Sequence, residues 1–421
     1  MPFVRRLAFP LVLLALAACA KEPPGYEGPF RRQVRKAIPE IEESTGLAFK
    51  TLPVLQERTR DEVRAFVEKS FTDQITPIEL AGVQQAYQLF GLLPDTLDLR
   101  AFFIDLLTEQ VAGYYDPATK VLYVVKDAPA DMRDITIAHE LVHALQDQHT
   151  RIDSVQSLKG DNDRMVAMQA VIEGQATYEQ IISMTGGSDM DMRLPGGWDR
   201  VRDAIRSAPS SMPKFAASPL YIQETMLFPY LSGAEFIRQF KRRRSGQAPF
   251  SPFASSTEQV LHPEKYLDSI PDVPTRVTLA APRGASLVHE DNLGEFETRL
   301  FVYQHLKDEG TAVAASMGWD GDRFQVVNTS AGAALGWVTV WDSPVDAAEF
   351  RDVMQRLLER RYKLAAGSGG SADVREWTTP RRRLLLEAGS IGGRPVVILE
   401  DRPAGAAARV LTLDRVTLQE P

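Results

Sequence analysis

Thr136-Ile137-Ala138-His139-Glu140-Leu141-Val142-His143-Ala144-Leu145 is the stretch on which the chain's fold and chemistry turn. Histidines four apart on an α-helix stand about one turn from each other on one face, so both imidazoles can reach a single cation. Glu140 lies roughly 100° round the helix from His139. There it can act on a water beside the cation but is poorly placed to join the same ligand set. Ile137, Ala138, Leu141, Val142, Ala144 and Leu145 carry no charge, which predicts a helix buried except along its metal edge. Asp131 is the expected N-cap, with Asp134 in the first turn. The chain has only six histidines, so a pair set in this frame points to a hydrolytic zinc centre rather than a coincidence of surface residues.

Zinc in hydrolases usually takes three protein ligands and keeps one position open. His149 has the offset of the last histidine in an HExxHxxGxxH pattern. Gln146, however, stands where that pattern needs a glycine to turn the chain back, and on a continuous helix His149 points away from the His139/His143 edge. Glu173 is the favoured third ligand. It lies in Ala167-Met168-Gln169-Ala170-Val171-Ile172-Glu173-Gly174-Gln175-Ala176-Thr177, which reads as a second helix, and Gly174 and Ala176 are small enough to let two helices approach. Without the histidine pair, Glu173 would read as an ordinary helix glutamate.

These segments resemble the gluzincin side of the zincin metallopeptidase superfamily. More narrowly, they are similar to bacterial lipoproteins carrying HELxHALQDQH followed by an EGxA helix. The likeness is strong from Glu109 to Glu179 and looser over Ser256 to Lys265. It implies an α+β fold built on a mainly helical zincin-like unit with a small edge sheet. It also implies Zn2+ at His139, His143 and Glu173, and Glu140 as general base, taking a proton from the attacking water and passing it to the departing amine. Thr177 stands where the common pattern has a second acidic residue, so the groups that orient the imidazoles must lie elsewhere. Asp147, one turn after His143, is a candidate, with a solvated helix aspartate as the competing reading. Tyr230 and His262 are candidate donors to the oxyanion. Against this, Tyr230 could simply pack in the Leu227–Leu231 run, and His262 could simply end a helix before Pro263.

Ala112 to Val125 reads as two strands around an Asp116-Pro117 turn. Such an edge could pair with an extended peptide substrate, or be an ordinary core hairpin. At the N-terminus, Arg5 and Arg6 precede an apolar run from Leu7 to Ala18 that ends Leu16-Ala17-Ala18-Cys19. That is a signal peptide too short to span a bilayer, and its end resembles a lipobox with Cys19 as the lipidated residue. Cys19 is the only cysteine, so neither a disulfide nor a thiolate zinc site is expected. Ala20 in place of an aspartate after the cysteine resembles lipoproteins sorted to the outer membrane, which implies its periplasmic face in a host that has one.

Residues 1–18 are thus read as signal peptide, 19–26 as a lipidated tether, 27–275 as the metallopeptidase unit and 276–421 as a smaller α+β region. Loss of the leader removes Arg5 and Arg6, making the chain two units more negative than its formal −8. That balance argues against a nucleic-acid partner. Lys241 to Arg244 is the local exception and reads as a solvated helix end. Helices dominate 27–100, with a strand expected over Phe49–Leu55, and a glycine-rich loop spans Gly186 to Gly197. After residue 276, a helix over Leu293–Lys307 is followed by strands at Phe324–Val327 and Trp337–Val340. A helix then starts at Ser343-Pro344, a loop covers Gly367–Ser371, and strands are expected at Arg382–Leu386 and Val396–Leu399. The expected function is a lipid-anchored zinc metallopeptidase acting on peptides. The competing readings are a zinc-binding envelope scaffold without turnover and a hydrolase of a non-peptide amide.

Overall fold

The structure, a computed structural model, describes residues 25–155, 158–184, 197–207, 212–366, 373–406 and 408–419. The leader, Cys19, most of the glycine-rich loop and the 367–371 loop lie outside them. Helix α1 (Arg31–Thr45) ends at Gly46, whose φ of 73° supplies the left-handed cap. Strand β1 (Val54–Arg58) begins well after the expected Phe49. The backbone N–H groups of Lys50 and Thr51 donate instead to the Gln148 side chain, at 2.6 and 3.1 Å. Thr59 with Glu62 and Thr76 with Glu79 form reciprocal capping boxes that start α2 (Arg60–Gln74) and α3 (Pro77–Phe90). Asp98 caps α4 (Leu99–Gln110).

The expected hairpin is present as β2 (Gly113–Asp116) and β3 (Val121–Val125). β3 pairs antiparallel with β2 and parallel with β1, giving the order β1-β3-β2 with β2 on an edge. Helix α5 (Ala130–His149) carries the histidine pair. It starts directly after Pro129, so Asp131 falls inside the first turn and is not the N-cap. Ile137, Leu141, Val142 and Leu145 are fully buried against Val34, Ala37 and Ile41 of α1, Leu55 of β1 and Leu122 and Val124 of β3. The apolar frame around the motif is therefore what fixes α5 between α1 and the small sheet.

Helix α6 (Asn162–Met184) carries Glu173. The helices that follow are α7 (Gly197–Ser207), α8 (Pro213–Ala216), α9 (Leu220–Arg243), α10 (Thr257–Leu261) and α11 (Pro263–Leu267). α6 and α9 cross almost backbone to backbone. A Cβ built on Gly174 would lie 2.2 Å from the carbonyl carbon of Gly233, and one on Gly233 would lie 2.1 Å from the carbonyl oxygen of Ala170. The end of α9 is not simply solvated: Lys241 pairs with the buried Glu179 and donates to Ser44 at 2.9 Å, and Arg244 donates to the carbonyl of Leu267.

The C-terminal region runs β4 (Arg276–Leu279), β5 (Ser286–Asp291), α12 (Gly294–Leu306), α13 (Glu309–Ser316), β6 (Trp319–Thr329), β7 (Gly332–Trp341), α14 (Pro344–Tyr362), β8 (Val374–Thr378), β9 (Arg382–Ile391), β10 (Arg394–Pro403) and β11 (Val416–Gln419). Ser343 caps α14 and Pro344 fills its first position. A six-stranded antiparallel sheet has the order β5-β6-β7-β10-β9-β8, and β4 pairs separately with β11. One sheet face is covered by β4, β11 and Leu411 against Val338, Val340 and Ile398. The other meets the helices: Phe90 of α3 stands edge-on to Phe301, Phe324 and Trp337, with centroids 5.3 to 5.5 Å away. The main core is continuous across residue 275. Polar contacts cross it too. Asp291 accepts from the N–H of Asn162, and Asn292 accepts from the N–H of Asp163, each at 2.8 Å, so the C-terminal region caps the start of α6. The architecture is mixed α+β.

The α6/α9 crossing gives a direct test. Gly174→Ala forces the helices apart, and overpacking of roughly 1–3 kcal/mol should lower the melting temperature by several degrees. Thermal unfolding followed by circular dichroism reads this, and an unchanged transition would mean the crossing is not tight.

Candidate metal centre

His139, His143 and Glu173 converge. His139 Nε2 lies 3.2 Å from Glu173 Oε2 and 3.2 Å from His143 Nε2, and His143 Nε2 lies 3.4 Å from the same Glu173 oxygen. Ligand atoms about 2.0–2.1 Å from a tetrahedral zinc stand about 3.3–3.4 Å from one another. The triangle matches that spacing.

The outer ring nitrogens explain why the cluster calls for a cation. His143 Nδ1 lies 2.9 Å from Gln146 Oε1 and His139 Nδ1 lies 3.0 Å from Gln180 Oε1. An amide oxygen only accepts, so each Nδ1 carries the proton and each Nε2 presents a lone pair. The orientation of Gln146 is fixed independently, because its amide nitrogen donates to Ile172 O at 3.0 Å and to Gln175 Oε1 at 2.9 Å. Both Nε2 atoms and a carboxylate oxygen thus face one another, an arrangement that needs a cation or a proton between them. Two nitrogens and one oxygen suit Zn2+, and the charges of Glu173 and Glu140 together balance a divalent ion.

The electrostatics agree. Burial alone would lower the pKa of His143, but the Glu173 carboxylate and, more weakly, Glu140 raise it to about 9. Burial alone would raise the carboxyl of Glu173, yet the two imidazoles hold it well below its ordinary value. Without an ion, a proton on His143 takes the ion's place.

Glu140 is buried on the same helix, and its Oε2 accepts from the N–H of Tyr115 at 2.8 Å. Tyr230 sits on α9 with its ring 6.2 Å from that of His139. It is 37 % exposed, unlike its buried neighbours Leu227, Phe228 and Leu231, so it does not belong to their packed run. The Glu173 carboxylate beside its hydroxyl, then burial and Glu140, raise the phenol well above its usual value, which keeps it a donor.

The remaining candidates lie elsewhere. His149 ends α5, with Nε2 2.8 Å from Ala48 O. His262 has Nε2 3.0 Å from Glu295, so that ring nitrogen is engaged by a buried carboxylate. Asp147 does not hold His143: its Oδ2 accepts from Tyr115 Oη at 2.7 Å and from Lys120 Nζ at 2.6 Å. Thr177 Oγ1 is buried without a hydrogen-bond partner, so the position of the absent acidic residue does not reach an imidazole. The residues that do orient the rings, Gln146 and Gln180, were not singled out from the sequence. Gln146 had a signal, since it displaces the turn glycine; Gln180, seven residues after Glu173 on the same helical face, had only its spacing. Among the described residues, Glu258, Asp272 and Asp342 form the other acidic cluster, but the ammonium of Lys265 already occupies it.

A family described as a domain of unknown function (DUF8575) matches residues 283–411, a span that does not include His139, His143 or Glu173. No curated protein matches the chain. No solved structure matches it.

Two measurements test the centre. Gln180→Leu removes the partner of His139 Nδ1 and should weaken zinc binding about 10–100-fold, read by competition with a chromophoric chelator. Zinc must also displace the His143 proton, so affinity should fall about tenfold per pH unit as pH drops below about 9. Calorimetry in two buffers near neutral pH should then show release of about one proton per ion; no proton release would remove this account.

Proposed function

We propose that this chain is a zinc-dependent metallopeptidase of the zincin type, anchored to a membrane by lipid on Cys19 and working outside the cytoplasm. The observation that carries the proposal is the meeting of two Nδ1-protonated imidazoles with a carboxylate at zinc spacing, beside a buried glutamate on the same helix. His139, His143 and Glu173 would hold the ion. When bound, zinc would supply Lewis acidity and ease deprotonation of water.

The chain's own residues do the rest. Glu140, held through Oε2 by the edge strand, takes a proton from the water that attacks the peptide carbonyl carbon. It returns that proton to the amide nitrogen as the carbon–nitrogen bond breaks. Tyr230, kept protonated by its neighbours, donates a hydrogen bond to the oxygen on which charge develops. The Tyr115 N–H on the outer edge of β2 is held by Glu140, so an extended peptide adding here would pair with outward carbonyls of the strand.

The anchor and the location rest on the sequence of residues 1–20. Among the described residues, no helix is long and apolar enough to cross a membrane.

Peptide-library digestion by full-length protein in detergent, with and without a chelator, tests the assignment. Glu140→Gln should keep its zinc and lose about 10²–10⁴-fold in kcat/KM. Hydrolysis that survives both the chelator and Glu140→Gln would refute a metallopeptidase. Zinc retention with no hydrolysis of any peptide by the wild type would favour a zinc-holding scaffold.

A further inference from the structure

Tyr115 touches the histidine helix at two points. Its backbone N–H donates to Glu140 Oε2 at 2.8 Å, and its phenol donates to Asp147 Oδ2 at 2.7 Å. Glu140 and Asp147 are seven residues apart on α5, two turns along one face. The Asp147 side chain is 4 % exposed and receives Lys120 from the hairpin turn on its open side. Burial, then the Asp147 carboxylate, raise the Tyr115 phenol above its ordinary value, so it stays a donor.

The backbone contact depends on where β2 lies. Val125 donates to Ala112 O, so by alternation residues 114 and 116 face β3 and the Tyr115 N–H faces outward. Among the described residues, β2 has a neighbour strand on one side alone. It lies directly on α5, since a Cβ at Gly113 would come 2.7 Å from Thr136 Cγ2. Pairing with β3, the packing of Tyr115 against the α5 core and the Gly113 contact bring β2 onto the helix, and the two Tyr115 hydrogen bonds add polar ties along α5.

We propose that the Tyr115–Asp147 hydrogen bond is the positioning element for Glu140. It locks β2 against α5 so that the Tyr115 N–H holds Oε2 and leaves Oε1 to exchange the proton. This rests on Glu140 acting as general base. Tyr115 and Asp147 are positioning residues, acting through the strand and not on the substrate.

The test uses full-length Tyr115→Phe, Asp147→Ala, Asp147→Asn and Lys120→Ala. Tyr115→Phe keeps the ring and its packing, which separates loss of the bond from loss of the fold. Tyr115→Phe and Asp147→Ala should lower kcat about 10–100-fold with KM and zinc content unchanged. The double variant should be no worse than the worse single one, because both remove the same bond. Asp147→Asn keeps an acceptor and should recover most of the loss, and Lys120→Ala should stay within about twofold of wild type. Hydrogen–deuterium exchange of residues 113–116 should quicken in Tyr115→Phe and Asp147→Ala, a readout that needs no turnover. Unchanged kcat with unchanged exchange, or a fall in zinc content matching the fall in kcat, would overturn the proposal. If wild type hydrolyses no peptide, the peptidase assignment fails on its own, and unchanged exchange would still sink the lock.

Discussion

Three hydrogen-bond acceptors aimed at one point are the constraint around which this structure is arranged. Each imidazole has spent its N–H on a glutamine, so what remains between His139, His143 and Glu173 is mutual repulsion unless something positive enters. Such an arrangement persists only if the surroundings over-determine it. α5 is fixed by its apolar faces against α1 and the small sheet. α6 is brought close by the glycine crossing with α9 and held at its start by Asp291 and Asn292. The burial that makes the histidine helix rigid also strengthens the attraction for a cation, because little water is present to screen it.

Much of this was legible in the sequence because helical spacing places side chains without any knowledge of tertiary structure. The histidine pair, the glutamate helix and the small residues beside Glu173 are statements about one or two helices. So was the hairpin, whose Asp-Pro turn between two short runs rich in tyrosine and valine is a local signal. What could not be read depends on segments far apart in the chain. Gly233, the partner of Gly174, lies 59 residues away, and nothing local marks it as a crossing point. Asp147 has the right offset to serve His143, yet the structure gives it to Tyr115 and Lys120, and spacing alone could not choose between them.

The errors at element ends have different origins. Asp131 is a good cap residue, but Pro129 starts α5 earlier. Residues 49–52 have strand-like content, but the Phe49 N–H is claimed by Glu42 of α1 and those of Lys50 and Thr51 by Gln148 from the end of α5. The C-terminal sheet was seen in part: its central strands show continuous apolar character, while the edge strands β5 and β8 alternate weakly and gave no signal above the loops around them. Only at Lys50 and Thr51 did a tertiary contact override a local preference.

The capping of α6 by Asp291 and Asn292 has a consequence for how such a chain can change over generations. The helix that presents Glu173 is rooted in the segment matched by the domain of unknown function, and Phe90 from the opposite end of the chain is wedged among that segment's rings. The two halves cannot be swapped like cassettes, since a recombined partner would have to restore both the helix start and the aromatic socket at once. A change that displaces Asp291 or Asn292 is therefore felt at the start of the helix that carries Glu173.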